Sequence, residues 1–468
     1  MRLEARRKNA ELNNQIHWKP KAGSGNFPGP VFLPPMNRRD EALEILKQLR
    51  QHGFQAYFVG GSVRDLLLKK KPKDFDIATN ATPKQVQKIF QKTVPVGAQF
   101  GVMLVLREGQ PYEVATFRTD QGYVDGRHPT GVKFTDARED ALRRDFTVNG
   151  LFYDPVDRKV LDWVGGQKDL KKKRIRAIGD PKKRFAEDKL RMIRALRFAS
   201  VLGFKIEPKT FAALKRGAGQ IRRVSHERVR DELIKMFTGP NPELALRLLD
   251  RSGLLKVILP EVEKMKGVQQ PRAFHPEGDV FRHTKLLLKR LKNPSTVLAF
   301  GALLHDVGKP PTFRRADRIR FNGHEAVGAR ITDAILTRLR FSNELKEKIV
   351  ACVEGHMRFK DVKQMRQSTL KKMMQRETFE IELEQHRADC LASHGDLSNW
   401  RFLRKKIQEF SREDIRPQPY LTGSKLLTMG FKEGPIIGRI LRSLEEAQLD
   451  GQVKSAEEAE AWVRCNFC

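Results

Sequence analysis

The sequence predicts an α/β head built on a small mixed sheet, followed by an all-helical remainder. Two observations carry this. Short β-type runs, Ala56–Val59, Val102–Arg107 and Tyr112–Phe117, alternate with glycine- and proline-punctuated helical stretches in the first third of the chain. After Asp154-Pro155 the apolar period turns helical and stays so to the end. At 468 residues the chain is also long for one domain, so roughly two to four are expected.

Composition narrows the function. A net charge of +33, spread over the whole length, favours a polyanionic partner, nucleic acid above membrane. Four scattered cysteines make no disulfide framework and point to a reduced, cytoplasmic setting. The terminal Cys465-Asn-Phe-Cys468 has no second pair beside it. The longest apolar run, around Val297 to Leu304, is too short to span a bilayer, and the first residues lack an apolar signal-peptide core.

In order, residues 1–38 read as a basic, flexible arm rich in Lys, Asn, Pro and Gly. Asp40 caps a helix with apolar Ala42, Leu43, Leu46 and Leu49, ended by Gly53. The head, 39–155, is organised around Tyr57-Phe-Val-Gly-Gly-Ser-Val-Arg-Asp65. Here a buried strand enters a glycine pair and then a helix expected to begin near Val63. Gly60 and Gly61 let the backbone approach a ligand and turn N–H groups outward, which makes an anion site. Asp74 and Asp76 follow at i and i+2. On a strand their side chains leave one face about 7 Å apart, close enough to hold divalent cations. A glycine pair alone also makes a plain turn, and Asp-x-Asp alone a solvated edge. Together, a phosphate cradle and paired carboxylates are what metal-assisted phosphoryl transfer requires.

Thr82 and Pro83 open a helix to Phe90 with cap and first-turn proline in place. Strands at Val102–Arg107 and Tyr112–Phe117 flank the first sheet, and Glu113 is a third acidic candidate. Residues 118–137, polar and glycine-bearing, are expected to be a long loop. In Arg143-Arg-Asp-Phe-Thr-Val-Asn149, preceded by Glu139-Asp140, guanidinium groups suit phosphates and a carboxylate suits a ribose hydroxyl.

Residues 156–265 are expected to form a helical neck and body. Its strongest segment is one helix, Glu187 to Phe198, with Asp188, Arg191, Arg194 and Arg197 along one line. Cytosine and adenine present an amino donor beside an unprotonated ring nitrogen, whereas guanine and uracil present a carbonyl beside a ring N–H. An acceptor-only aspartate next to a donor-only arginine therefore fits C and A and clashes with G and U. Amphipathic helices at Glu227–Phe237 and Pro242–Leu255 follow. In 266–400 a second constellation gathers: His283, His305-Asp306, His324, His356 and Asp389, with His305-Asp306 inside Ala302-Leu-Leu-His-Asp-Val-Gly-Lys309. Residues 401–468 form a helical tail expected to bind RNA.

The motifs G-G-x-V-R-D, D-x-D, R-R-D-F-T-x-N, E-D-x-x-R and R-x-x-R-F resemble, over most of the chain, the class II tRNA nucleotidyltransferases (CCA-adding enzymes). They are equally similar to the related bacterial poly(A) polymerases, of the polymerase-β-type superfamily. That resemblance implies template-independent addition of C and A, from CTP and ATP, to a tRNA 3′ end. It implies Asp74 and Asp76 as Mg²⁺ ligands with Glu113 facing the pair, and Gly60, Gly61, Ser62 and Arg64 at the nucleotide. Arg144 would go to the triphosphate, Asp145 to the ribose, Asp188 and Arg191 to the base, and Arg194 and Arg197 to phosphates. Asp125-Gly126-Arg127 is similar to the family's hinge-like motif.

The second constellation resembles the HD phosphohydrolase superfamily. This implies His283, His305, Asp306 and Asp389 as metal ligands, with His324 and His356 allowing a second metal. Imidazole plus carboxylate suits Mn²⁺, Fe²⁺, Ni²⁺ or Co²⁺ better than Mg²⁺ alone. The tail resembles that of the HD-containing tRNA enzymes, though Lys425 stands where they often carry aspartate. Poly(A) polymerase, CC-only and A-only addition remain alternatives, because one Asp/Arg pair serves both bases. From other classes, an HD hydrolase with an RNA-binding head and a non-catalytic RNA-binding protein also remain. Nothing in the sequence sets the oligomeric state.

Overall fold

The computed structural model describes residues 37–123 and 129–467. Most of the expected basic arm, the Asp125-Gly126-Arg127 motif and Cys468 lie outside those residues. The chain divides into two compact units. The first runs to Arg191 and takes in Lys205–Ala213; the second comprises Met192–Phe204 and Leu214 onward.

The first unit contains the expected α/β head and runs past its expected end at 155, through a further strand, Lys159–Leu161, to Arg191. Its strands are β1 (Ala56–Val59), β2 (Asp76–Thr79), β3 (Thr93–Gly97), β4 (Val102–Arg107) and β5 (Gln110–Thr116). Further on come β6 (Arg118–Tyr123), β7 (Pro129–Phe134), β8 (Phe152–Asp154) and β9 (Lys159–Leu161). The main sheet has the order β3-β4-β5-β2-β1-β8-β9. It is mixed: β2 and β5 run parallel, and the other pairs are antiparallel. Val59, Ala78, Phe117, Ala141 and Phe152 form an apolar cluster on the sheet, and the rings of Tyr57 and Phe117 stack 6.1 Å apart.

Several local expectations shift. The first helix, Arg38–Gln51, is capped by Asn37, whose side chain accepts from Arg39 N and Asp40 N; Asp40 sits inside the first turn. An Asn oxygen before the first turn reaches these donors, which a residue already helical cannot do. The helix after the glycine pair spans Gly61–Leu67, starting at the second glycine rather than near Val63. The expected long loop at 118–137 is largely a two-stranded ribbon of β6 and β7, joined in antiparallel register from Arg118↔Phe134 to Tyr123↔Pro129. A ribbon paired through its backbone needs no apolar alternation, so periodicity does not reveal it. The Thr82 cap stands as expected, with Gln85 Oε1 accepting from Thr82 N at 2.8 Å.

The second unit is helical, with a buried aromatic row in which Phe237, Phe300 and Phe341 meet edge-on at 5.9 and 5.0 Å. Its helices include His226–Phe237, Val280–Lys289, Thr296–Leu304, His324–Arg338, Asn343–Gly355 and Phe379–Ala392. The helix expected over Pro242–Leu255 breaks at Gly253, whose φ of +78° ends Pro242–Ser252 in a left-handed turn. Separate apolar clusters form around Phe359, Leu383 and Leu403 and, in the tail, around Leu426, Ile440 and Leu444. Lys425 pairs with Glu460 at 2.8 Å, so the residue that departs from the expected aspartate has a local partner. Among the described residues no helix is long and apolar enough to cross a membrane.

Candidate functional site

In the head, the parallel pairing of β2 with β5 sets Ile77 opposite Val114. Asp76 and Glu113, each one residue earlier, therefore stand side by side on neighbouring strands, about 4.8 Å apart in backbone. Both line a cavity of about 200 Å³ together with Val59, Ile77, Val102, Ala115, Arg118, Arg143 and Arg144. Two carboxylates thus share a small space with arginines, the composition that holds a cation and a phosphate together.

The arginines are aimed by a residue to which the sequence assigned no role. Asp140, 1 % exposed, ends between two forks. Its Oδ1 accepts from Arg143 Nε and Nη2 at 2.9 and 2.6 Å, and its Oδ2 from Arg144 Nε and Nη2 at 3.1 and 2.9 Å. Burial pushes the Asp140 carboxyl up, but Arg144 and Arg143 outweigh it and hold the group below its ordinary value. Gly60 completes this wall. Its φ is +71°, and a β-carbon there would sit 3.2 Å from Arg144 Nη1 and 4.0 Å from Asp76 Oδ2, so glycine lets all three converge.

Other predicted residues are placed less directly. Asp74 precedes β2 instead of lying on it. Its side chain is 65 % exposed, and its Oδ1 accepts from Arg38 Nη1 at 2.9 Å. Asp74 thus lies just ahead of the strand expected to carry it, and the parallel register adds Glu113 beside Asp76. The reason is that β2 begins only where its backbone meets Val59. Gly60 N donates to Leu151 O at 3.1 Å, so that N–H is not turned outward as expected. A β-carbon on Gly61 would lie 3.6 Å from Arg64 Nη2. Ser62 is buried, with its hydroxyl donating to Val59 O at 3.0 Å. Arg64 donates to Asp65 and to Asn149 Oδ1, the latter at 2.8 Å. Asp145 Oδ1 accepts from Phe146 N and Asn149 Nδ2.

The expected single helix over 187–198 is two, Pro181–Glu187 and Leu190–Leu202, with Asp188 ending the first in an extended conformation. Asp188 Oδ1 accepts from Leu190 N at 3.0 Å; a short acidic side chain caps the next helix and so favours the break. Glu187 Oε2 receives both Arg184 Nη1 at 2.6 Å and Arg191 Nη1 at 2.7 Å, and Arg184 also donates to the carbonyls of Arg143 and Arg144. Arg184 and Glu187, which sequence reasoning missed, therefore link the base-reading candidate to the cavity arginines. In the helical unit Arg197 pairs with buried Glu232 at 2.5 Å, with Arg194 at 4.0 Å from the same side chain.

The helical unit assembles all six predicted His and Asp residues. His283 Nε2 lies 2.9 Å from Asp389 Oδ1, and His305 Nε2 lies 3.2 Å from Asp306 Oδ2. Asp306 Oδ1 is 3.7 Å from His324 Nε2 and 3.8 Å from His356 Nε2, while those two nitrogens are 3.1 Å apart. Adjacent buried groups of three, His283/His305/Asp306 and Asp306/His324/His356, could each hold a metal ion. Both carboxylate oxygens of Asp306, Asp389 Oδ1, His305 Nε2 and both His283 nitrogens are buried without a well-aligned hydrogen bond. Buried polar atoms that converge without mutual hydrogen bonds fit a cation between them.

Electrostatics agree with ligation. Burial pushes His356 down to about 3 and also lowers His324, which leaves both as the neutral imidazoles that bind metals. His283 goes the other way. Burial lowers it, but the Asp389 and Glu277 carboxylates beside its two ring nitrogens outweigh this and push it up to about 9. Sequence reasoning missed the support around these ligands. Glu277 Oε1 lies 2.6 Å from His283 Nδ1 and 3.0 Å from His275 Nδ1. Lys309, also buried, lies 2.8 Å from Asp306 Oδ2 and donates to Gln270 Oε1 at 2.6 Å. A lysine four residues after His305, inside the same motif, was the available signal. Gly308 admits this packing, since a β-carbon there would fall 2.1 Å from the His324 carbonyl oxygen.

Comparisons with known proteins follow the same division. Residues 56–176 match the poly A polymerase head domain, 203–266 a probable RNA and SrmB-binding site of polymerase A, and 279–388 the HD domain. The chain is 46 % identical over 224 residues to the CCA-adding enzyme of Bacillus pumilus, covering 48 % of this chain and 56 % of that protein. It is 44 % identical over 237 residues to the CCA-adding enzyme of Lactobacillus johnsonii, covering 50 % and 58 %. The chain thus spans a little over half the length of the curated relatives it matches. Among solved structures, the Bacillus stearothermophilus CCA-adding enzyme in complex with CTP superposes with a TM-score of 0.68 at 28 % identity, covering 92 % of this chain and 97 % of that one. The Thermotoga maritima CCA-adding enzyme complexed with tRNA shares the fold, at a TM-score of 0.57 and 20 % identity over 92 % and 95 %.

Proposed function

We propose that this chain is a nucleotidyltransferase built on a poly A polymerase head domain and adds C and A from CTP and ATP to the 3′ end of tRNA without a template. One observation carries the reading: Asp76 and Glu113 share a cavity with Arg143 and Arg144, and Asp140 pins both arginines. Arg144 would take the triphosphate and Asp145 the ribose, with Asp74 joining the acidic pair once Arg38 releases it. Mg²⁺ held by these carboxylates would neutralise phosphate charge and favour the ionised form of the attacking hydroxyl. The RNA 3′ oxygen bonds to the α-phosphorus, the α–β bridge breaks, pyrophosphate leaves, and the hydroxyl proton passes to a carboxylate or water.

Asp188 and Arg191 would read the base. Arg191 is held by Glu187, so its fork keeps a fixed direction, and a fixed fork rejects a base that offers donors. Replacing Asp188 with alanine is expected to lower discrimination against UTP and GTP by about 10–100-fold. Unchanged selectivity would remove Asp188 from this role. The whole reading is tested by incubating the protein with tRNAs ending before, within and after CCA, with each NTP, and sequencing the products. Completion to CCA and then arrest is expected; open-ended A addition to any RNA would favour a poly(A) polymerase instead.

The His–Asp centre favours a second activity, hydrolysis of a phosphate ester with a transition metal such as Mn²⁺, Ni²⁺ or Co²⁺. His283, His305, Asp306 and Asp389 would hold the ion, with His324 and His356 taking a second. Glu277 orients His283 through Nδ1, so Glu277→Gln is expected to weaken Mn²⁺ binding about 10–100-fold in a titration of the full chain. Wild-type affinity in that variant would exclude the orienting role. Because His283 keeps a proton up to about 9 without metal, the ion must displace it. Apparent affinity should therefore rise up to about tenfold per pH unit and level off near pH 9.

A further inference from the structure

Between the helix that carries Lys309 and the one that begins at His324, the chain forms a small ribbon, Arg314–Arg315 paired antiparallel with Ile319–Arg320. Arg314, Arg315, Arg318 and Arg320 are all exposed. The register sets Arg314 directly opposite Arg320, and like charges in that relation destabilise a strand pair. Only Arg320 has a carboxylate nearby, Asp317 at 2.9 Å; among the described residues Arg314, Arg315 and Arg318 have none within ion-pair distance. Three exposed arginines with no acidic partner among the described residues, next to a fourth whose charge Asp317 meets, leave a positive strip that an anion would neutralise.

The ribbon leads into the His–Asp centre. Phe313 and Phe321 flank it with ring centroids 5.9 Å apart. Phe321 lies 6.4 Å from the His324 ring, and Lys309 Nζ lies 5.4 Å over Phe321. Phe313, the residue before Arg314, is 38 % exposed, and a large aromatic so placed offers a face on which a base can stack. Cations spaced along a strand with exposed aromatics beside them are how proteins hold single-stranded nucleic acid.

We propose that the Arg314–Arg320 ribbon, with Phe313, docks a single RNA strand whose phosphorylated terminus enters the His–Asp centre. The substrate class of that centre is then a phosphate ester at an RNA end, not a free mononucleotide. This rests on the phosphohydrolase reading above. With a 3′-phosphate, water's oxygen bonds to phosphorus as the P–O3′ bond breaks. The freed 3′ oxygen takes a proton, leaving a 3′-hydroxyl and inorganic phosphate.

The test uses the full chain with Mn²⁺ and two substrates: a short RNA carrying a 3′-phosphate, and p-nitrophenyl phosphate, which is too small to reach the ribbon. Combining Arg314→Ser, Arg315→Ser and Arg318→Ser should raise KM for the RNA at least about tenfold and flatten the slope of log affinity against log salt by about two. Hydrolysis of p-nitrophenyl phosphate should not change. Equal effects on both substrates, or none on the RNA, would overturn the proposal. If the wild type hydrolyses neither, the phosphohydrolase reading fails, and the ribbon is judged by crosslinking an RNA with a 3′-terminal 4-thiouridine. Label within residues 313–321 upholds the docking site; label elsewhere alone rejects it.

Discussion

Replacing Asp76 with alanine is expected to reduce nucleotide addition at least about a thousandfold, because it removes the carboxylate that faces the Gly60 turn in the cavity shared with Arg143 and Arg144. A bound cation stabilises transition-state charge by several kcal/mol, and about 4 kcal/mol corresponds to a thousandfold. The reasoning is geometric. Asp76 is the residue at which β2 joins β1, opposite Val59, and it stands beside Glu113 on the parallel neighbour. Losing it leaves Glu113 to face Arg143 and Arg144 alone. Asp74→Ala should impair addition too, but it also frees Arg38, so the two variants are informative together. Mn²⁺ binding at the His–Asp centre serves as an internal control for folding. Addition retained within about tenfold in Asp76→Ala would exclude the metal assignment.

Asp306→Asn is expected to have the largest effect in the helical unit. The Asp306 carboxylate is 1 % exposed and lies between His305, Lys309, His324 and His356. Burial raises the group, but His305 and Lys309 hold it well below the ordinary carboxylate range, so it is an anion at all working pH. Neutralising it removes the negative charge shared by both candidate ion sites and leaves Lys309 buried without its counter-charge. The second effect alone should destabilise this unit by about 3–5 kcal/mol. Mn²⁺ binding and phosphatase activity should vanish, while CTP and ATP addition by the head persists below the melting temperature. A calorimetric titration with wild-type Mn²⁺ affinity would show that the metal is held elsewhere.

Much of the head was legible because its signals are local. The buried run Ala56–Val59, the glycine turn, the Thr82 cap and the β4–β5 hairpin each depend on residues a few positions apart, where period and cap chemistry decide. The histidines and aspartates of the second centre were legible as a set, because adjacent His305-Asp306 with flanking His and Asp is an uncommon spacing. What escaped reading was decided by long-range contact or by backbone pairing. Glu41 accepting from the Tyr112 hydroxyl, Arg38 holding Asp74 and Arg184 reaching the carbonyls of Arg143 and Arg144 join residues 71, 36 and about 40 positions apart. The β6–β7 ribbon carried no apolar alternation, and the break at Asp188 needed a cap bond that helical periodicity hides.

By itself the sequence determined which kinds of groups this protein possesses: a glycine turn with carboxylates and arginines in one part, clustered imidazoles and aspartates in another. Only the tertiary structure decided which of them meet. Strand register set Glu113 beside Asp76, and helix docking placed Glu277 and Lys309 behind the metal-binding candidates. The reason is that side-chain chemistry is a property of each residue, whereas the distance between two residues far apart in the chain is fixed only when the backbone between them closes on a packed core.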